Sequence, residues 1–230
     1  MVRPMNRIVL LACWIPALTV LIATCLLLAG RTYPDYSLVD HDISFLGHPR
    51  MNPAGWGFWS AAMALGGVML WPVATYISRA MRALTADRSL RQRRLAAWGA
   101  WAARCASIGM FGLALVPQLP GLDPPHQLAG VMAMGGLYVA LWLFVGILIA
   151  SLPIGPMGAV LLIAAVAWGP IGFLATQGWR FFRYGELGHD AKVTPQLPLL
   201  QFSLWEWLLY FCLFVALPVV VWQLRETNSR

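Results

Sequence analysis

The sequence predicts an all-α fold: a polytopic membrane bundle of six transmembrane helices, one integral membrane domain with a small extracytoplasmic cap. Three observations predict it. The 230 residues are 60% hydrophobic and only 11% charged, where an ordinary soluble domain is about 25% charged. So few charges cannot coat a water-facing surface, and lipid must solvate most of the exterior. Second, uncharged runs recur at the ~20-residue length that crosses hydrocarbon. Third, the runs show no period-two alternation and far exceed a barrel strand, so they read as helices.

The spans follow in order. Ile8 to Gly30 lies between Arg7 and Arg31, which puts the first span at about 8–30. Its apolar run is too long for a cleaved signal peptide and no small-x-small site ends it, so it reads as a retained helix. Pro16 inside it predicts a local kink. Met51 to Ser78 holds the second span, about 54–78, rich in small residues on which another helix can pack. Cys105 to Leu122 holds most of the third, about 96–116, with Arg104 in its early turns, either snorkelling to headgroups or paired inside the bundle. Gln127 to Trp179 carries no charge. "SLPIGPMG" divides it into spans at about 126–150 and 156–177, because its prolines and glycines end one helix and start the next. Trp207 to Leu224 gives the sixth, about 204–224, with Trp205, Trp207 and Tyr210 expected in an interfacial aromatic belt.

Charge orients the chain. With both termini cytoplasmic, eleven of the sixteen basic residues fall inside and five outside, as the positive-inside rule requires. Seven of the nine acids and all four histidines then fall outside. The net charge of +7 is therefore a topology signal with some attraction to anionic lipid, and nucleic acid is not an expected partner. Cys13, Cys25, Cys105 and Cys212 all lie inside spans without C-x-x-C spacing, and read as packing residues.

The chemistry concentrates in "YSLVDHDISFLGHPR", residues 36–50, between the first two spans. At 100° per residue, Tyr36, Val39, Ile43 and Leu46 share one side, and Ser37, Asp40, His41, Ser44 and His48 another. This predicts a short amphipathic helix on the outer surface, begun near Pro34 and ended at Gly47. The second outer loop adds Asp123 and His126, the third Glu186, His189 and Asp190, and Glu206 tops the last span. Imidazoles and carboxylates are ligands of catalytic zinc. A divalent metal such as zinc held by Asp40, His41, His48 and His126 would lower the pKa of a bound water for hydrolysis. Without a metal, Asp40, His41, Ser44, Asp123 and His126 are the candidates for general acid–base or nucleophilic work. Against this, no H-E-x-x-H segment is present, and no serine elbow surrounds Ser44. The same residues can cap helices and bind headgroups.

Two stretches carry a family resemblance. "YSLVDHDISFLGHPRMNPAGWGFWSAAMALGG", with Ile43, Ser44, Leu46 and Gly47 in an Ile-Ser-x-Leu-Gly element, resembles bacterial membrane proteins of domain-of-unknown-function family 998, and "DPPHQLAGVMAMGG" is similar to that family's His-led fourth span. A fainter similarity extends to the eukaryotic Frag1, DRAM and Sfk1 group. The resemblance implies six helices and an outer polar cluster, and no established reaction.

The sequence thus poses two functions. One is an outer-leaflet metal-dependent hydrolase or lipid-handling protein, with membrane lipids as partners. The other is a non-catalytic subunit or transporter, assembling as a homo-oligomer or with other membrane proteins through its small residues. Charges sit at the rims rather than the midplane, which weighs against ion-coupled transport. Haem would want histidines within facing spans, and only His126 is near one.

Overall fold

A computed structural model describes residues 4–119, 121–185 and 201–228. It is all-helical, with no strand among the described residues. Helix α1 spans Pro4–Thr32, α2 Trp56–Leu84 and α3 Leu90–Leu115. Helix α4 is one rod, Asp123–Ser151, whose turn Val131–Gly135 is a π-helix. Helix α5 spans Pro156–Tyr184 and α6 Phe202–Asn228. Pro16, Pro72, Pro170 and Pro218 lie inside helices that continue through them. Ser89 caps α3 by accepting from the Gln92 N–H at 3.4 Å, and Gly185, at φ 70°, ends α5 in the left-handed conformation glycine adopts without strain.

Among the described residues five stretches are long and apolar enough to cross a membrane: Trp14–Thr32, Trp56–Leu84, Asp123–Ser151, Pro156–Tyr184 and Phe202–Val220. Helix α3 has the length, 26 residues, but carries Arg91, Arg93, Arg94 and Arg104. It packs on α2 along one side and α4 along another, while α1 lies on α2 and α5 on α6. Large side chains such as Leu27, Val131, Met157 and Leu174 remain exposed around the bundle, the surface a bilayer would solvate.

Small residues let α2, α3 and α4 touch. A Cβ on Gly67 would fall 2.8 Å from Ser107 O and from Phe111 N of α3, and the Ser107 hydroxyl donates to Gly67 O across the gap. A Cβ on Gly136 would fall 2.8 Å from Ala102 O, and one on Gly109 2.4 Å from Ala133 N. In lipid, association rests on this close packing rather than on apolar transfer. The small residues that suggested assembly with other chains are thus occupied within this one at Gly67, Gly109 and Gly136.

The helices alternate in direction, so the links 33–55 and 116–122 share one end and 85–89 and 152–155 the other. The Arg88 guanidinium donates to Ser151 O at 3.4 Å and ties the latter two together. We call these the acidic end, with Asp35, Asp40, Asp42, Asp123 and Glu206, and the basic end, with the α2–α3 arginines.

Candidate functional site at the acidic end

Residues 36–48 do not form the expected helix. Only Ile43–Gly47 is helical, as a 3₁₀ turn. Local side-chain bonds explain the difference, because they offer the backbone an alternative to helix. Asp35 takes a φ of 53°. The Ser37 hydroxyl accepts from the Val39 and Asp40 N–H groups at 3.2 and 3.3 Å. His41 Nδ1 accepts from the Ser37 N–H at 3.2 Å, and His48 Nδ1 from the Arg50 and Met51 N–H groups, both at 3.2 Å.

These bonds set what the histidines can do. Because Nδ1 accepts in His41 and His48, a neutral ring carries its proton on Nε2. Using Nε2 as a ligand would require the other tautomer and break the turn. His126 is the opposite case. Its Nδ1 lies 2.7 Å from Val116 O, and a carbonyl can only accept, so Nδ1 donates and the Nε2 lone pair is free. The His126 ring is buried and stacks on Trp59 at 6.2 Å. Asp123, in the same first turns of α4, is exposed, as is Asp40, and Ser44 is half-buried. Among the described residues no group of three or more His, Cys, Asp or Glu side chains could hold a metal ion. The expected set of Asp40, His41, His48 and His126 is therefore not brought together. Glu186, His189 and Asp190 lie outside the described residues.

The structure instead gathers Asp42 and Glu206. Asp42 is 2% exposed, and its carboxylate accepts from the Ser203 hydroxyl at 2.5 Å. Glu206, one turn further along α6, accepts the Ile43 N–H at 2.7 Å. It thereby satisfies an orphan donor at the start of the 3₁₀ turn. The two acids lie within electrostatic range of each other. Trp207 Nε1 donates to the Tyr36 hydroxyl at 3.0 Å, and that hydroxyl donates to His41 O at 3.2 Å. Trp207 and Tyr210 are thus buried in the bundle, not placed in an aromatic belt. Burial pushes the Tyr36 hydroxyl well above the ordinary tyrosine range. The Trp207 bond works in the opposite direction, and the charges of Glu206 and Asp42 add to the rise.

Under this cluster lies an apolar cavity of about 60 Å³. Ile22 of α1, Gly66 of α2, Met110 of α3, Met134 of the π turn, and Tyr210 and Leu213 of α6 line it. The only other polar side chain there, Thr19, returns its hydroxyl to Ile15 O at 3.0 Å. Among the described residues the Tyr210 hydroxyl makes no hydrogen bond, although it lies in the field of Glu206.

The sequence puts Glu206 at the top of the last span and leaves Asp42 off the polar arc of 36–48. The apolar partner face of 36–48 was the available signal: Tyr36 and Ile43 are the residues that dock on α6 and carry Asp42 inward. No family model, no curated protein and no solved structure matches the chain.

Proposed function

We propose that this is a six-span membrane protein, basic end and both termini cytoplasmic, that handles a lipid-like amphiphile. The hydrogen-bonding head sits at the Asp42–Glu206 cluster and the chain enters the cavity beneath. The observation that carries this reading is one face of α6. Ser203, Glu206, Tyr210, Leu213 and Leu217 follow at helical spacing, so the same stripe runs from buried carboxylate hydrogen bonds through an unbonded hydroxyl into apolar space. An amphiphile matches that order of polarity. The arginines of the α2–α3 link support the orientation. The sixth span in this reading is α3, whose Arg91, Arg93 and Arg94 lie in its first turns at the basic end and whose small residues pack against α2 and α4.

Handling fits better than metal-dependent hydrolysis, since two of the three described histidines serve the local turns through Nδ1. His126 keeps a hydrolytic variant open, because its free Nε2 lone pair could act as a general base.

Native mass spectrometry of the protein in mild detergent tests the reading. Leu213→Trp fills the cavity, and the folded variant is expected to lose the lipid that wild type retains. Tyr210→Phe removes one hydroxyl and should weaken retention about fivefold, the worth of about 1 kcal/mol for one hydrogen bond. Equal retention by wild type and folded Leu213→Trp would overturn it.

A further inference from the structure

The basic end offers a second site, independent of the amphiphile reading. Arg104 lies 14 residues into α3, about 21 Å along the helix. Ala97, Trp101 and Ile108, at seven before, three before and four after it, are all exposed, so Arg104 borders the lipid-facing side of α3. It is half-buried. Its Nε is buried without a hydrogen bond, and among the described residues no acid pairs with it. An arginine that borders hydrocarbon with no pair inside the protein calls for an anionic partner from outside it.

The aromatic residues set its depth. Ser107 of α3 bonds Gly67 of antiparallel α2, so Arg104, a turn nearer the basic end, lies level with Leu70 and Trp71. Trp14 of α1 donates its indole N–H to Met69 O at 3.3 Å, which brings it to the same level. Trp142 of α4 lies two residues from Phe144, which packs over Gly99. With Trp98 and Trp101, 64% and 62% exposed, five exposed indoles on α1 to α4 fall in one band about 10 Å deep that includes Arg104. Exposed indoles settle at the headgroup level of a bilayer. Helical side chains lean toward the helix N-terminus, which for α3 is the basic end. Arg104 therefore reaches toward the phosphates, and Arg94, a turn beyond Trp98, adds a second exposed cation.

We propose that Arg104, flanked by Trp101 and Trp98, binds the phosphate of an anionic phospholipid in the leaflet at the basic end. The guanidinium fork matches two phosphate oxygens, the indoles hold the glycerol region, and the protein's unpaired charge selects anionic over zwitterionic lipid.

The test is native mass spectrometry of the full chain titrated with equal amounts of phosphatidylglycerol and phosphatidylcholine. Wild type is expected to retain phosphatidylglycerol preferentially. R104Q should cut that preference about fivefold, one arginine's worth of about 1 kcal/mol, and R104K should fall between, keeping charge without the fork. An R91Q/R93Q variant, altered only at exposed arginines of the first turn, should lose less than R104Q. Three results each overturn the proposal: no preference in wild type, an unchanged preference in folded R104Q, or a larger loss in R91Q/R93Q. Should R104Q fail to fold, the same preference is read in W98A/W101A, where it must also fall.

Discussion

At the scale of single residues, the acidic end is held by side chains that serve backbone groups. Asn52 is the clearest case. It is fully buried, its amide donates to Ala29 O at 3.0 Å and Leu46 O at 2.9 Å, and its carbonyl accepts from the Thr32 hydroxyl at 3.1 Å. It pins the 3₁₀ turn to the end of α1. Asn52→Ala leaves the Leu46 carbonyl without this donor, while Ala29 O keeps the Thr32 hydroxyl at 2.9 Å, and is expected to cost about 2 kcal/mol, read as a lower thermal midpoint in detergent. Tyr36 gives a pH signature. Its proton loss is raised by burial, so its contribution to stability is whole below the ordinary tyrosine range near pH ~10. It is lost as pH climbs from there through its own raised value. Difference absorbance between wild type and Tyr36→Phe should therefore show no phenolate from Tyr36 through pH ~10; ionisation at the ordinary value would mean that the Trp207 contact is open to water.

These roles explain what residue patterns could and could not reveal. The spacing of Tyr36, Ile43 and Leu46 correctly marks a buried apolar side, and Ile43 and Leu46 are buried. The same spacing suggests a helix because periodicity carries no information about Ser37 and His41 competing for the backbone. The decisive partner, Glu206, stands 163 positions from Ile43. A bond at that separation leaves no local trace in composition or period. Asp40 and His41 drew attention as chemistry-bearing neighbours, yet Asp42, two residues from Asp40, is the acid the fold buries.

At the scale of elements, helix positions were readable because lipid demands long uncharged runs, and the prolines and glycines of "SLPIGPMG" do separate α4 from α5. Helix α3 was harder, since its arginines shorten the uncharged run while its alanines and glycines extend the helix back to Leu90. Glycine packing is the testable property here. Gly67→Val drives a branched side chain into the α3 backbone and is expected to destabilise the protein by about 3 kcal/mol. Gly146, inside α4, has open space where a Cβ would lie, so Gly146→Ala should be neutral or stabilising by a fraction of a kcal/mol. Equal effects of the two substitutions, in thermal or denaturant unfolding, would contradict the close α2–α3 approach. The π turn Val131–Gly135 had no sequence mark. It places Ala133 against Gly109 and Met134 at the cavity, consistent with the tendency of such turns to occur at functional positions.

At the scale of the whole molecule, the bundle has two unlike ends. One closes with buried carboxylate hydrogen bonds above an apolar cavity, and the other with a band of exposed indoles and an arginine whose Nε has no hydrogen bond. Composition announced the membrane and the asymmetry of charge. It could not announce the cavity, which exists only where five helices meet. The central claim is that this cavity receives the chain of an amphiphile, and photolabelling tests it most directly. The purified protein is irradiated with a phospholipid bearing a diazirine on its acyl chain, and labelled peptides are mapped. The account predicts label on Tyr210, Leu213 and Met110, removed when Gly66→Phe occupies the space. Label spread over the outer faces, at Leu27 and Val215, with none at Tyr210 and no change in Gly66→Phe, would contradict it.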